Sequence, residues 1–260
     1  MIAITARNLC ARPFLEQIGL LAAAHPEMII LREKDLCYDE LLVLAAQCLE
    51  ICERHNVPLA INSDMDVARE LNICRIHLPM QLMRETEDFS DFSLVGASVH
   101  SVDQAREAED LGADYVLAGH VFHTACKDSD PRGIPFLEAI CDAVDIPVYG
   151  VGGITPDNYP EVMRCGAAGA AVMSSAMTEQ EPSELVQRLS RNQDEYLRNF
   201  TVLLTEKGVV PLTDPLQISV YNELCSGSKR PSDIAASLGI PSSSLHFVLD
   251  KMTESGVIIR

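Results

Sequence analysis

The first part of the chain predicts an α/β fold, a TIM (β/α)8 barrel, because short apolar segments alternate with amphipathic ones. Eight segments predict strands: Ile2–Thr5, Met28–Arg32, Leu59–Asn62, Arg75–Leu78, Leu94–Ser98, Tyr115–Gly119, Val148–Val151 and Gly169–Met173. Between them, helical spacing of apolar residues is clear in Tyr38–His55, Ser101–Leu111 and Asn158–Cys165, and weak after Leu78. A doubly wound open sheet is the alternative, but Thr5-Ala6-Arg7-Asn8 is not the glycine-rich turn that such a fold ordinarily has after its first strand.

The composition is typical of a globular protein with reduced thiols. A chain of 260 residues that is 47% hydrophobic can bury a full core. No apolar run reaches the roughly 18 residues of a membrane span, and Met1–Thr5 predicts a strand rather than a secretion signal, so we expect a cytoplasmic protein without a membrane partner. The nine cysteines include no Cys-x-x-Cys pair, and Cys48 and Cys52, one helical turn apart, predict two buried thiols and no structural zinc.

The net charge of −18 is distributed unevenly along the chain. From Thr201 onward, five Lys or Arg stand against six Asp or Glu, a balance of −1, which leaves −17 to the preceding residues. A shift of this kind predicts two units with different partners. We place the barrel at residues 1–198 and a small second domain at residues 199–260.

Three of the predicted strands end in residues suited to chemistry. The sixth strand runs into His120, and the seventh and eighth run into Gly152-Gly153 and Ser174-Ser175. Barrels of this class carry their active site at the C-terminal ends of the strands. A histidine can take and give a proton near neutral pH, and backbone N–H groups at glycine loops and helix starts can bind phosphate. These residues therefore predict a proton carrier beside a phosphate site, with a structural histidine and ordinary glycine turns as the alternative interpretation.

A series of motifs in fixed order carries a family resemblance. The motifs are Ile4-Thr5, Leu31-Arg32-Glu33-Lys34-Asp35, Ile61-Asn62, Ser98-Val99-His100-Ser101, Gly112-Ala113-Asp114-Tyr115, Gly119-His120-Val121-Phe122 with Thr124 and Lys127, Gly152-Gly153-Ile154 and Ala171-Val172-Met173-Ser174. This series resembles the thiamine phosphate synthase and TenI superfamily. The resemblance implies a barrel that binds a thiazole phosphate at its top, with synthases also binding a pyrimidine diphosphate and magnesium.

Two departures from the synthase pattern concern the metal. In synthases the Asn of the third strand precedes a magnesium-binding Asp, whereas here Asn62 precedes Ser63, and Gln81 stands near the expected second acidic ligand. Magnesium is held by hard oxygen ligands, mostly carboxylates, so these departures disfavour synthase activity. Asp64 and Asp66 are the residues that would have to substitute.

The segments around Ser98-Val99-His100-Ser101 and Gly119-His120-Val121-Phe122 are similar to TenI, the thiazole tautomerase, in which the histidine matching His120 is catalytic. The resemblance implies an isomerase without metal or cofactor, which removes the ring C2 proton of a carboxylated thiazole phosphate and returns a proton to the side-chain carbon. Implied substrate-binding residues are Arg32, Asn62, Ser98 and Lys127, and implied phosphate-binding residues are Gly152, Gly153, Met173 and Ser174.

The tail predicts a separate helical unit. Helices are predicted at Asp214–Cys225, Arg230–Leu238 and Ser242–Ser255, followed by a strand from Val257. This order resembles the winged helix-turn-helix domains of the ArsR type, with Arg230, Ser242, Ser243, Ser244 and His246 as candidate DNA contacts. The chain ends inside the expected wing and the tail is not basic, so a protein-interaction or dimerisation module is the alternative.

We therefore predict a TenI-type isomerase of thiamine biosynthesis, forming a homo-oligomer, with a phosphorylated thiazole as ligand and duplex DNA as a further partner of the tail. Two other functions stay open. One is a transcriptional regulator whose barrel senses a thiazole or thiamine phosphate without catalysis, and the other is a thiamine phosphate synthase.

Overall fold

The computed structural model describes residues 1–124, 129–189, 220, 231–238, 245, 248 and 249. Eight parallel strands form a closed barrel in sequence order. They are β1 Ile2–Ile4, β2 Met28–Leu31, β3 Leu59–Asn62, β4 Arg75–Pro79, β5 Leu94–Val99, β6 Tyr115–Gly119, β7 Val148–Val151 and β8 Gly169–Val172. The barrel closes where Ile2 pairs with Ala171 and Ala3 pairs with Val172. The predicted TIM barrel is confirmed, and each strand boundary lies within one residue of its predicted position.

Helices connect the strands on the outside of the barrel. They are α1 Phe14–Ala23, α2 Tyr38–Arg54, α3 Met65–Glu70, α4 Met80–Glu85, α5 Val102–Asp110, α6 Ile134–Cys141, α7 Tyr159–Arg164 and α8 Ser174–Thr178, and residues 182–189 are also helical. Local capping sets several starts: Ser101 accepts a hydrogen bond from the Gln104 N–H (3.1 Å), and Asp64 accepts one from the Val67 N–H (3.0 Å). The weak pattern after Leu78 corresponds to α4, which is only six residues long.

Apolar side chains fill both the inside of the barrel and the layer between strands and helices. The inside cluster consists of Ile2, Ile4, Met28, Ile30, Ala60, Tyr115, Leu117 and Ala171. Because both faces of most strands are covered, most of the strands are nearly continuous apolar runs, which is why they could be located in the sequence. The barrel is thus a filled scaffold whose free surface for binding lies at the strand ends.

The cysteines of the described segments are free thiols. Cys48 and Cys52 lie on α2 and are both fully buried, as the sequence predicts. Burial raises the pKa of the Cys52 thiol to about 11 and raises that of Cys48 further. Two protonated, buried thiols contribute to packing between α2 and the barrel rather than to chemistry.

Within the tail, the structure describes a helix at Pro231–Leu238, where a helix is predicted from Arg230. Leu245, Val248 and Leu249 are helical and buried. The helix predicted at Asp214–Cys225, apart from the helical Val220, and the wing strand lie outside the described residues. The winged arrangement and the division at residue 198 remain predictions. None of the described helices is long and apolar enough to cross a membrane.

Candidate active site at the mouth of the barrel

A cavity of about 500 Å³ opens at the C-terminal ends of the strands. Its floor is apolar, and its wall is formed by polar side chains and loops that follow the strands. The polar and loop residues are Arg32, Lys34, Asn62, Ser63, His77, Ser98, His100, His120, His123, Thr124, Gly152, Gly153, Thr155, Met173, Ser174 and Ser175. No Asp or Glu of the described segments lines this cavity. Its charged side chains are therefore cationic, in a chain whose net charge is −18.

His120 lies directly after β6, behind a cis Gly119–His120 peptide, and is 8% exposed. Its Nε2 is 3.1 Å from the carbonyl oxygen of Ser129. Because a carbonyl can only accept, Nε2 carries the hydrogen, and in the neutral ring Nδ1 keeps its lone pair. No described residue hydrogen bonds to Nδ1. The imidazole is thus held through one nitrogen and has the other available to accept a proton.

The backbone on both sides of His120 is fixed by neighbouring groups. His100 Nδ1 donates to the carbonyl of Gly119 (2.7 Å), which precedes the candidate catalytic residue. The Arg132 N–H donates to the carbonyl of His120 (3.0 Å), and the Gly133 N–H donates to that of Val121 (2.9 Å). These bonds close the loop after β6 at its base. His100 therefore supports the loop carrying His120, in addition to lining the cavity.

Gly152 and Gly153 follow β7 and pack directly against the His120 loop. Both have positive φ, +97° and +66°. A Cβ on Gly152 would lie 2.3 Å from the His120 Cβ, and one on Gly153 would lie 2.3 Å from the carbonyl oxygen of His123. Only glycine fits such an approach. The glycine pair thus positions the candidate proton carrier as well as lining the predicted phosphate site.

Arg32 is held at the end of β2 by a buried polar network. The Arg32 N–H donates to Thr5 Oγ1 (2.9 Å), and this hydroxyl donates to Glu33 Oε1 (2.7 Å). Glu33 also accepts from the backbone N–H of Arg7 (3.1 Å). The Glu33 carboxylate is therefore occupied away from the cavity, while the Arg32 side chain lines it, with Nη1 3.9 Å from Met173 Sδ.

His77 lies lower in the wall and is 2% exposed. Burial lowers its pKa to about 3, and the nearby positive charge of Arg32 contributes in the same direction. This imidazole is neutral at physiological pH. It is distinct in this respect from a group that must gain a proton during a reaction.

The acidic residues that could replace the missing metal ligands are engaged elsewhere. Asp64 caps α3, and Asp66 forms an ion pair with Arg69 (3.3 Å) on the outer surface. Gln81 donates to Glu85 (2.9 Å) on the exposed face of α4 and does not line the cavity. Within the described segments, no group of three or more His, Cys, Asp or Glu side chains is arranged to hold a metal ion. The described wall therefore does not fit a magnesium ion, which requires carboxylate oxygens.

The predicted site residues fall into two groups. Eight of them line the one cavity: Arg32, Asn62, Ser98, His120, Gly152, Gly153, Met173 and Ser174. Lys127 lies outside the described residues, as do Arg230, Ser242, Ser243, Ser244 and His246. Lys34, His123 and Thr155 also line the cavity and were not predicted to do so from the sequence. Their proximity to strand ends was the available signal, since each follows a strand by no more than four residues.

The sequence of the barrel matches a known family model. Residues 1–176 match TMP-TENI, described as thiamine monophosphate synthase. The chain belongs to this family. Membership places the barrel among enzymes of thiamine biosynthesis. The matched residues end at 176, so the match does not bear on the predicted winged helix.

Individual members of the TMP-TENI family agree with this assignment. The thiamine-phosphate synthase of Natronomonas pharaonis is 33% identical over 173 residues, which cover 63% of this chain and 80% of the relative. That of Enterococcus faecalis is 32% identical over 183 residues, covering 68% and 86%. A solved thiamine phosphate pyrophosphorylase from Pyrococcus furiosus is 28% identical, with a TM-score of 0.65, covering 74% of this chain and 93% of that one.

Proposed function

We propose that this barrel is a TenI-type thiazole tautomerase, which isomerises a carboxythiazole phosphate by general acid–base catalysis at His120. The observation that carries the proposal is the position of His120 in a cavity whose described charged side chains are all cationic. A ligand that carries both a phosphate and a carboxylate suits such a wall. The reaction needs one group that takes and gives a proton, and no residue of the described segments hydrogen bonds to Nδ1 of His120, whose Nε2 is held by Ser129.

The roles of the surrounding residues follow from their places on the wall. Gly152, Gly153, Met173 and Ser174 form the side where β7 and β8 end, and we assign the phosphate to them. The ring then extends toward the remaining wall, where Arg32, Asn62 and Ser98 face it. Lys127, which follows β6 in the sequence, is assigned to the ring carboxylate together with Arg32.

The proton transfer balances within the ligand. His120 Nδ1 takes the C2 proton of the non-aromatic ring, and the electron pair moves through the ring to the exocyclic double bond. The resulting imidazolium returns a proton to the side-chain carbon, so the ring becomes aromatic and no other reactant is consumed. A positioned acid–base group of this kind contributes roughly 10² to 10⁴ in rate.

A turnover assay with the carboxythiazole phosphate tautomer tests the proposal. We expect ¹H NMR to show conversion to the aromatic isomer well above the rate without protein. Binding of the ligand without turnover would favour the non-catalytic sensor. If the protein neither binds nor converts the ligand, both the tautomerase and the sensor functions are contradicted.

A second candidate function is thiamine phosphate synthase, and the names of the curated relatives favour it. The described wall argues against it, since Ser63 and the surface position of Gln81 leave no carboxylate facing the cavity. With pyrimidine diphosphate, thiazole phosphate and magnesium, we expect no thiamine phosphate above background. The Enterococcus faecalis relative, assayed alongside by chromatography, is the positive control. Robust formation of thiamine phosphate by this protein would make the synthase the better assignment. Asp64→Asn and Asp66→Asn variants would then show which of the two carboxylates binds magnesium.

We propose duplex DNA binding for the tail on its sequence pattern alone. The main cations Lys229, Arg230 and Lys251 can neutralise few phosphates, so binding is expected to be weak, shallow in its salt dependence and dependent on a dimer. DNA binding is measured by selecting genomic fragments with the full-length protein at low salt. The Ser243→Glu and Arg230→Glu variants are then tested for binding to the enriched fragments. If no fragment is enriched, or both variants bind as well as the parent, the tail is a protein-interaction module instead.

A further inference from the structure

Three residues on adjacent strands lie side by side at the base of the cavity wall, and His77 is the one that lines the cavity. His77 of β4 pairs with Gly96 of β5, and Gly96 pairs with Tyr115 of β6. A Cβ on Gly96 would lie 2.1 Å from Tyr115 Cζ, so the phenol ring occupies the space that a side chain there would fill. The Tyr115 hydroxyl reaches across to His77 Nδ1 at 3.1 Å. The absence of a side chain at Gly96 is what allows the two rings to meet.

A second contact continues this chain of groups to the cavity wall. Ser98 lies two residues after Gly96 on β5, so its side chain faces the same side of the sheet. Its Oγ is 2.7 Å from His77 Nε2, and Ser98 is more exposed than either partner. His77 and Tyr115 are only 2% and 4% exposed. The hydroxyl of Ser98 is therefore the end of the chain at the cavity.

The number of hydrogens on the three side chains determines which group donates in each hydrogen bond of the chain Tyr115–His77–Ser98. The His77 ring, being neutral, has one donor and one acceptor nitrogen. The Tyr115 hydroxyl forms no hydrogen bond to a described residue other than His77. If Nδ1 carried the hydrogen, the buried phenol would accept it and its own O–H would have no partner, which is costly. With Tyr115 donating to Nδ1 instead, Nε2–H donates to Ser98 Oγ, and the O–H of Ser98 turns to the cavity.

We propose that the chain Tyr115–His77–Ser98 fixes Ser98 as a hydrogen-bond donor and so selects a ligand with a carboxylate or similar acceptor at the end distal to its phosphate. The inference deepens the proposed function, on which it rests for the ligand class. Ser98 lies on β5, two strands around the barrel from β7 and three from β8, the two strands at whose ends the phosphate is assigned. Ser98 touches the ligand, whereas His77 and Tyr115 are positioning residues that act through it.

Burial and charge keep the hydrogen-bonded chain Tyr115–His77–Ser98 in this donor and acceptor arrangement. Burial raises the pKa of the Tyr115 hydroxyl, and burial together with Arg32 lowers that of His77. The Tyr115 hydroxyl and the His77 ring are therefore both neutral over the pH range in which enzymes are assayed. The direction of the chain does not change with pH there, which separates its effect from a pH-dependent step at another residue.

The tautomer of His77 provides a test that requires no ligand. In ¹⁵N-labelled protein at pH 7, long-range ¹H–¹⁵N spectra are expected to show Nε2 of His77 as the protonated nitrogen and Nδ1 as the acceptor. A Tyr115→Phe variant removes the donor to Nδ1, and the Nδ1 resonance is expected to move toward the position of a free acceptor. A hydrogen on Nδ1 of the parent protein would overturn the inference.

Two probes test selectivity: carboxythiazole phosphate, and the same thiazole phosphate without the carboxylate. Ser98→Ala is expected to lose about tenfold in affinity for the carboxylated probe, as a hydrogen bond to a charged group is lost. Affinity for the other probe is expected to stay within about twofold, and Ser98→Thr, which keeps the hydroxyl, within about threefold of the parent for both. Tyr115→Phe is expected to show a smaller loss, again with the carboxylated probe alone.

The inference would be overturned if Ser98→Ala lost equal affinity for the two probes, or if it lost no affinity for either. Circular dichroism and thermal unfolding show whether each variant is folded, and the tautomer measurement on the parent stands whatever the variants do. If carboxylate selectivity depends on Ser98 but no turnover occurs, the inference holds and only the proposed function fails. If turnover occurs without that selectivity, the reverse is true.

Discussion

A His120→Gln variant is expected to lose at least about 10² in kcat for carboxythiazole phosphate isomerisation. Glutamine is similar in length and has an N–H₂ that can still donate to the Ser129 carbonyl, but it has no nitrogen that takes and gives a proton. Affinity for the phosphorylated ligand should stay within about threefold, because the phosphate is assigned to other strands. NMR kinetics and calorimetric titration measure the two quantities.

His25→Gln is the matched control, since His25 is exposed after α1 and is not part of the cavity wall. Its turnover should equal that of the parent. An unchanged rate in His120→Gln would remove His120 from the mechanism. A loss of affinity as large as the loss of kcat would instead indicate that the side chain binds ligand or supports the loop.

A Gly153→Ala variant is expected to be destabilised by on the order of 3 kcal/mol, and its turnover is expected to fall as well. Its φ is +66°, and the new Cβ would lie 2.3 Å from the His123 carbonyl oxygen and 2.8 Å from the Phe122 carbonyl carbon. Both are backbone atoms, so the loop carrying His120 must move to make room. Urea unfolding gives the stability change.

Gly112→Ala separates the two causes of that loss. Gly112 has φ of +91°, but nothing lies within 4 Å of a Cβ placed there. Its substitution should therefore cost only the backbone strain, about 1 kcal/mol, and leave turnover unchanged. If the two variants lose the same stability, the close approach of Gly153 to the loop does not matter, and its positive φ alone explains the need for glycine.

The fold was predictable because its signals are local. A parallel strand buried on both faces is a short apolar run, and β3, β6 and β7 begin and end where the runs do. The weakest prediction concerned the segment after Leu78, where α4 is only six residues long. So short a helix has little room for a repeating apolar pattern, and the sequence cannot reveal its extent.

The candidate site was predictable where residues follow strand ends, because the C-terminal ends of all barrel strands meet at one mouth. Arg32, His120 and Ser174 come together for this reason. The contact of His77 with Tyr115 was not predictable, since it depends on strand register and on the space over Gly96. The structural use of Gly153 was equally hidden, because the backbone that it approaches belongs to another loop.

The closure of the barrel between β1 and β8 has a consequence for synthesis of the chain. One edge of β1, whose three residues are all buried in the finished fold, pairs only with Ala171 and Val172. At roughly 5–20 residues per second, translation takes on the order of ten seconds or more to deliver that partner. Throughout this time the nascent chain has an apolar edge without its neighbour, the kind of feature that invites association with other chains. Vectorial synthesis therefore gives β1 its first neighbour, β2, early and its second neighbour, β8, only after the rest of the barrel has been made.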